Sequence, residues 1–553
     1  MKRLKLMMTI LAMTALLVCT VALFSPYAPA VKPVPEIEEI WAIEDAREES
    51  DAPLVTALES NGMRLGYDAQ ENTFYCPIGL DNGEEWPEMR LSAPGAKGVQ
   101  LVFVDDYTYD WCNEAVREGY PYQILAYTQE KFWYTQVVFT GIPVVCLKAD
   151  SVISLEEQMG FAAISELGVD PIQTDARIRL RGAGSLDGLK IGYKVEFAGN
   201  SHGGQIEHDV PGIGMEGEIA LLPMVYDKPL MRDKLSWEIY AALVGDDPIF
   251  APRKTQHVEL FVNDEYFGVY LMVNLMDGKR ELALAGESHL REDSVYRSTF
   301  LAYYPRRERM TVDDPLIYQN SFGYDLRYTA KIGSEFADLQ PYLALLTEED
   351  DAVFARRALE MVDLDQLLRY VLFVQACGLT DNFNNNMYIW AEKTQDGRRY
   401  WFYPWDLDMS WGNRKDHVGK DFSYWLYFPF ADRLINLDAG GARGRLAQIW
   451  QEMRAEIFTQ ENIAGMLERY AMELSESGAM VRNEMRWNMG MSYPDGQEIL
   501  DFAGTRFPVM DEIIAMIAGT DERLPFLEGP YGELMGIPVF EESMSETVDR
   551  AEK

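Results

Sequence analysis

The chain has 553 residues, 48% of them apolar and 12% aromatic, which is enough to fill several cores and excludes global disorder. Fifty Lys and Arg stand against 89 Asp and Glu, a formal charge of −39 at pH 7. That balance excludes non-specific binding to nucleic acid and docking of a basic face on an anionic membrane. It suits a soluble exported protein, or one that holds cations or cationic polypeptides.

At the N-terminus Lys2, Arg3 and Lys5 precede an uncharged run from Leu6 to Phe24, followed by a stretch ending in Ala28-Pro29-Ala30. A positive start, an apolar stretch and an A-x-A site predict a secretory signal over 1–30. The run has 19 residues, close to the ~20 that span a bilayer, so an uncleaved membrane anchor is the alternative. Positive charge on the N-terminal side places the remainder outside the cytoplasm in either case, secreted or tethered to the membrane by this segment. Without Cys19 four cysteines remain: Cys76, Cys112, Cys146 and Cys377. None has CxxC spacing, which argues against zinc. One disulfide among the first three and four unpaired buried thiols both fit the pattern.

Residues 31–59 form an acidic linker, extended at Val31-Lys32-Pro33-Val34-Pro35 because proline disfavours helix at the residue before it. Its segment Glu36–Asp51 fits a linker or an exposed helix. Residues 60–150 predict a small β-rich domain, with runs such as Gly98–Val104 and Phe132–Phe139 between Gly, Asp, Asn and Pro turns. Over 176–275 the pattern is strands and hairpins around one helix. Arg177–Arg181 and Tyr193–Phe197 alternate polar and apolar, Leu230–Val244 has helical spacing, and His257–Val262 and Tyr266–Val273 form a hairpin. Residues 281–350 show no periodicity and read as an insertion. Asp363 with Gln366 resembles a capping box before a helix with a buried Leu and Val stripe up to about Cys377. Met387–Ala391 and Arg399–Tyr403 are strands joined across Asp396-Gly397. Residues 431–540 read as amphipathic helix and 541–553 as an acidic tail, giving a mixed α+β chain.

Five histidines form no HExxH, no GxSxG elbow is present, and a Ser-His-Asp mechanism is disfavoured. Carboxylates and amides are more informative. Thr380-Asp381-Asn382-Phe383-Asn384-Asn385-Asn386 follows the predicted helix, and Pro404-Trp405-Asp406-Leu407-Asp408 follows the hairpin. A hairpin returns to where it began, so Asp381 and Asn386 become neighbours of Asp406 and Asp408. Such hard oxygen ligands suit Mg²⁺ or Mn²⁺. The order helix, Asp-x-x-x-x-Asn, hairpin, Asp is also that of a protein-kinase catalytic and metal-binding loop. Upstream, Gly182, Gly184 and Gly188 form a glycine loop between two strands, with Lys190 and Lys194 after it. Trp401, Trp405 and Trp411 read as core or pocket wall.

At these residues the chain resembles the spore-coat-protein-H (CotH) kinase family. The family's Arg-Gly-Asn-Ser-Ser and Pro-Lys-Lys-Ser-Tyr-Arg are similar to Arg181–Ser185 and Leu189–Lys194. Its Tyr-x-Asp with a later Arg is similar to Asp227 and Arg232, and its Asn-Gly-x-Tyr-x-Gly-x-Tyr to Asn263–Tyr270. Its Asp…Asn-x-Tyr and Trp-Asp-x-Asp are met by Asp381, Asn386-Met387-Tyr388 and Trp405-Asp406-Leu407-Asp408. The resemblance implies an atypical two-lobed protein-kinase-like domain over 151–430, preceded by the β-rich domain and followed by helices. It also implies ATP and Mg²⁺ (or Mn²⁺) as cofactors. Asp381 would be the catalytic base, Asn386, Asp406 and Asp408 the metal ligands, and Arg181, Gly182, Gly184, Lys190 and Lys194 nucleotide contacts. The expected activity is transfer of the ATP γ-phosphoryl group to Ser or Thr of a cell-surface or coat protein. The chain departs from the family pattern at Ala183, at Ile191 (a second lysine in the family) and at Asn274, where the family tends to place a Glu. These departures favour an alternative, a catalytically inactive surface-binding module of the same fold. A metal-dependent sugar-nucleotide transferase rests on Asp406-Leu407-Asp408 alone.

Overall fold

The computed structural model describes residues 35–80, 85–182, 188, 190–200, 203–245, 252–275, 292–299, 324–329, 336–348, 350–383, 385–413, 422–488, 490, 496–528 and 536–538. The signal or anchor over 1–30, Gly184 and the tail 541–553 lie outside the described residues. The fold is mixed α+β, and the chain divides into two compact units.

The first unit comprises residues 1–148, 163–173 and 260–266. Its sheet runs in spatial order Gly66–Asp68, Thr73–Pro77, Lys131–Thr140, Tyr122–Tyr127, Gln100–Phe103. Lys131–Thr140 is the spine, parallel to Thr73–Pro77 and antiparallel to Tyr122–Tyr127. Phe74, Ile124 and Val137 are fully buried beneath it. The rings of Trp86, Tyr107, Tyr122 and Phe139 pack edge-on or tilted in the same core, as aromatic quadrupoles favour. The acidic segment contains a helix, Ile37–Asp45, with only Ile40 buried. Cys76, Cys112, Cys146 and Cys377 are all unpaired. Burial pushes the Cys76 thiol up to about 12 and Cys112 up to about 11, so neither is a ready nucleophile.

The second unit comprises residues 149–162, 174–259 and 267–553. Its first sheet is part of a closed barrel and runs in the order β1 (Ile172–Arg181), β2 (Gly192–Ala198), β3 (Glu218–Leu222), then β5 (Glu265–Asn274) and β4 (Thr255–Val262), all but a few end residues of which lie in this unit. Val195 and Phe197 are fully buried on one face of β2, while Lys194 and Glu196 alternate to the other. Asn263 and Asp264 turn the β4–β5 hairpin with φ of 52° and 63°, the two left-handed residues a tight hairpin needs. Between β3 and β4 lies α1 (Arg232–Val244). Its residues Arg232–Trp237 are all buried, so its polar groups require partners. Arg232 meets Asp227 at 2.8 Å through its guanidinium, and its backbone N–H donates to the same carboxylate at 2.7 Å.

A second sheet has the order β7 (Tyr324–Thr329), β6 (Ser294–Ser298), β8 (Met387–Thr394), β9 (Gly397–Pro404). This corrects the reading of 281–350 as an insertion, because β6 is an interior strand of the sheet. Five residues are too few for alternation to stand out, and β6 is fixed by distant partners. Asp293 beside it accepts from Trp390 Nε1 at 3.1 Å and from the Lys393 N–H at 2.7 Å.

The helix α2 (Leu364–Cys377) starts at Asp363, whose carboxylate accepts the Gln366 N–H at 3.0 Å. The reciprocal half of the capping box does not form, since Gln366 Nε2 donates to Phe402 O at 3.0 Å. The C-terminal helices are α3 (Ala442–Glu456), α4 (Gln460–Glu476), α5 (Ala479–Trp487) and α6 (Gln497–Ala518). Arg506 of α6 is fully buried and donates to Gln375 O at 3.0 Å and Tyr424 O at 2.8 Å, tying α6 to the end of α2. Among the described residues no helix is long and apolar enough to cross a membrane.

Candidate active site

α2 stops at Gly378, whose φ of 62° is the left-handed C-cap that glycine supplies. The chain then passes Asp381 and Asn382 into β8. The register pairs Met387 with Pro404, so the residues just outside the hairpin, Asn386 and Trp405-Asp406, stand side by side. Asn386 Nδ2 and Asp406 Oδ2 are 3.5 Å apart. Neither is glycine, yet their φ values are 52° and 59°. Such conformations cost about 1–3 kcal/mol each and persist only where the surroundings over-determine them.

The surroundings do so here. Asn382, fully buried, clamps Trp405 twice: Trp405 N–H donates to its Oδ1 at 3.2 Å, and its Nδ2 donates to Trp405 O at 3.3 Å. Tyr370 Oη donates to Asn382 O at 2.6 Å. On the far side of Asp406, the Leu407 N–H donates to Asp233 Oδ1 at 3.3 Å. Asn413 Nδ2 then donates to Asp408 O at 2.8 Å. The strained residue is thus held by both neighbours.

Asp381, Asn386, Asp406 and Asp408 all line one cavity of about 800 Å³ in the second unit, within the range of small-molecule sites. Arg181, Gly182 and Lys194 line it too, as do Asp233, Asn385, Arg297, Arg327, Tyr388 and a stretch from Leu222 to Tyr226. Gly182 is exposed with φ 117°. A Cβ on Gly192 would meet the carbonyl oxygens of Arg181 and Leu221, each at 3.2 Å, so glycine lets the three strands close up there.

Lys190 is absent from the cavity wall. It is fully buried, its Nζ donates to Val269 O and to Asn483 Oδ1 at 3.2 Å, and it lies 4.4 Å from the Tyr270 ring centre. Burial holds its pKa well below the usual lysine value. The strand begins at Gly192, so alternation carries Lys194 into the cavity but does not extend back to Lys190. Lys194 meets Glu218 of β3 at 2.7 Å, both side chains mostly buried. The lysine's acidic partner therefore comes from β3. Asn274, where an acid was expected, instead accepts the Lys254 N–H at 2.9 Å.

The acids strain against one another. Burial raises the Asp408 carboxyl well above the carboxylate range, and Asp406, Asp233, Asp227 and Asp381 add to it. Asp233 is raised to about 8, by burial first and by Asp406 next. Asp406 opens onto the cavity but is walled by protein. Burial and Asp381 raise it, while Arg181 and Arg297 pull it back. A divalent cation would relieve this repulsion. Among the described residues no three His, Cys, Asp or Glu side chains form a metal site by themselves. A Mg²⁺ here would be held by one or two carboxylates and an amide, with phosphate and water completing its shell. To join that shell through Oδ1, Asn386 would have to turn its amide over, since its Nδ2 faces Asp406.

Several residues at the cavity or behind it were not singled out from sequence. Asp233 sits inside a helix whose pattern signals only core, and Arg297 sits in the segment read as an insertion. Asn382 stands within the motif but carries no chemistry of its own. A buried polar residue next to the motif's Asp381 is a signal for such a clamp.

The family model for CotH kinase protein matches residues 178–506, more than half of the chain. The match takes in the first sheet from the end of β1 onward, the second sheet, every cavity residue from Arg179 to Met409 and the helices as far as Arg506. No curated protein matches the chain. The chain belongs to the CotH kinase family.

Proposed function

We propose that this protein is an exported atypical protein kinase that moves the ATP γ-phosphoryl group to Ser or Thr of a surface or coat protein. The observation that carries the reading is the meeting of Asp381, Asn386, Asp406 and Asp408 in one cavity with Arg181 and Lys194. In this reading the β1–β5 sheet is the nucleotide lobe, and α2 with β6–β9 and the later helices is the catalytic lobe. Bound there, Mg²⁺ would neutralise charge on the β- and γ-phosphates. Asp406, Asn386 and Asp408 would hold it, and Lys194, kept in place by Glu218, would contact phosphate. Asp381 would accept the acceptor hydroxyl's proton as its oxygen joins phosphorus. Phosphoryl transfer needs positioning and charge neutralisation, and the clamped backbone around Asp406 supplies the first.

One observation favours a second reading, an inactive surface-binding module. Lys190, the lysine next to Ile191, is buried and takes no part in the cavity. Purified protein incubated with Mg²⁺, labelled ATP and a casein-type acceptor separates the two. Incorporation that disappears in Asp381→Asn and in Asp406→Asn supports the kinase. Folded protein that neither binds ATP nor incorporates label supports the module, and turnover of a sugar nucleotide supports a transferase.

A further inference from the structure

The basic residues on the two walls of the cavity differ in how their charge is matched. On the first sheet Lys194 has Glu218 at 2.7 Å and Arg179 has Glu157 at 3.6 Å, one acid to each base. On the second sheet Arg297 of β6 and Arg327 of β7 share a single oxygen, Oδ2 of Asp325, at 3.0 Å and 3.8 Å. The first distance is a hydrogen bond and the second is too long for one, so Arg327 brings a positive charge that Asp325 does not satisfy. Both arginines line the cavity with Asp381, Asn385 and Tyr388, and the Arg327 side chain keeps 35% of its surface exposed. The backbone presents it there. Val295 pairs with Tyr328 and Tyr296 with Leu326, so Arg327 is the extra residue of a β-bulge, with no partner in the β6 ladder. A bulge bends its strand and re-aims a side chain, here that of a partly exposed arginine at a cavity.

We infer that Arg327 holds a carboxylate of the acceptor segment, so that the preferred acceptor is a Ser or Thr with an acidic residue close by in sequence. The assignment of the two walls rests on the kinase reading. In-line transfer puts the leaving ADP and the attacking hydroxyl on opposite sides of the γ-phosphorus, so with the nucleotide on the first sheet the acceptor comes against the second. The planar fork of arginine meets a carboxylate with two parallel N–H groups, and Arg297 keeps Asp325 engaged so that the Arg327 fork stays available. The chain's charge of −39 does not oppose this. The Debye length is about 8 Å at physiological ionic strength, so distant surface acids are screened and the local surplus decides.

The test measures transfer by the full chain, with Mg²⁺ and labelled ATP, to three serine peptides flanked by Glu, by Gln or by Lys. The Glu peptide should be the best acceptor. Arg327→Gln should lower kcat/KM for the Glu peptide by about tenfold or more, as loss of a charged hydrogen bond does, and leave the Gln peptide and the KM for ATP unchanged. Arg327→Glu should move the preference to the Lys peptide, a reversal that a merely structural residue would not give. Arg445→Gln, which removes a surface partner of Asp365, is the control. Equal rates on the Glu and Lys peptides in the unmodified chain, or an unchanged Glu preference in Arg327→Gln, overturns the site. Fluorescence anisotropy of the labelled Glu peptide, without nucleotide, separates this site from the kinase reading. If the unmodified chain binds that peptide, Arg327→Gln does not, and no label is transferred, the acidic-peptide site stands and the kinase reading falls. Neither binding nor transfer by the unmodified chain overturns the site as well.

Discussion

The acidic and basic walls of the cavity are held in different ways. On the acidic wall, Asn386 and Asp406 are fixed through the backbone, by the Met387–Pro404 register and by Asn382 and Asp233 gripping the residues on either side of Asp406. On the basic wall, position depends on where long side chains point. Lys194 leans on Glu218, Arg297 on Asp325, and Lys190 has turned away into the core. The acids are thus pre-arranged against their own repulsion, which a site for a cation requires. The bases are kept by single side-chain pairs. Substitution should therefore be costly on the acidic wall and selective on the basic one.

The largest effect is expected at Asp381. Asp381→Asn removes the proposed base and should lower the transfer rate by about 10²–10⁴-fold while leaving ATP affinity nearly unchanged. A rate loss accompanied by equal loss of ATP affinity would assign Asp381 to binding. Next comes the clamp: Asn382→Ala strands the Trp405 N–H and C=O and should cost about 1–3 kcal/mol of stability, read by denaturant unfolding. It should also weaken Mn²⁺ binding more than substitutions elsewhere in the core of similar cost. A smaller contrast separates the lysines. Lys194→Met should weaken ATP binding by about tenfold or more, as loss of a charged contact does, whereas Lys190→Met should leave it unchanged.

Lys190 also carries a pH signature. Its folded pKa is depressed, so below the ordinary lysine value of about 10.4 the unfolded chain binds the extra proton. Stability should rise with pH towards that value in the wild type, and the rise should be shallower in Lys190→Met. Asp233 has the opposite sign. Its carboxyl is raised to about 8, so the folded state holds the proton and stability falls as pH climbs from about 4 to about 8. Asp233→Asn keeps an acceptor for the Leu407 N–H and should flatten that fall in unfolding curves recorded without divalent cations.

The difference between the walls also explains what the sequence made legible. A hairpin brings its ends together whatever surrounds it, so the neighbourhood of Asp381, Asn386, Asp406 and Asp408 could be read from spacing. So could the helix ending near Cys377 and the β4–β5 turn. Lys190 could not, because its direction depends on where the strand begins and on Asn483, almost three hundred residues away. Arg297 was hidden for a similar reason, since its five-residue strand is fixed by β8 and by the bonds Asp293 makes, with little periodicity of its own. Asp233 was masked by a helix buried all round its first turns, where charged residues read as misplaced core. Local pattern carries what the backbone sets; what side-chain pairing sets must be seen in three dimensions.

The most direct test is electron paramagnetic resonance of Mn²⁺ titrated into the full chain with a non-hydrolysable ATP analogue. One tightly bound Mn²⁺ that requires the nucleotide and is lost in Asp406→Asn is the expected result. Nucleotide-dependent Mn²⁺ binding that is unaltered in Asp406→Asn would contradict it.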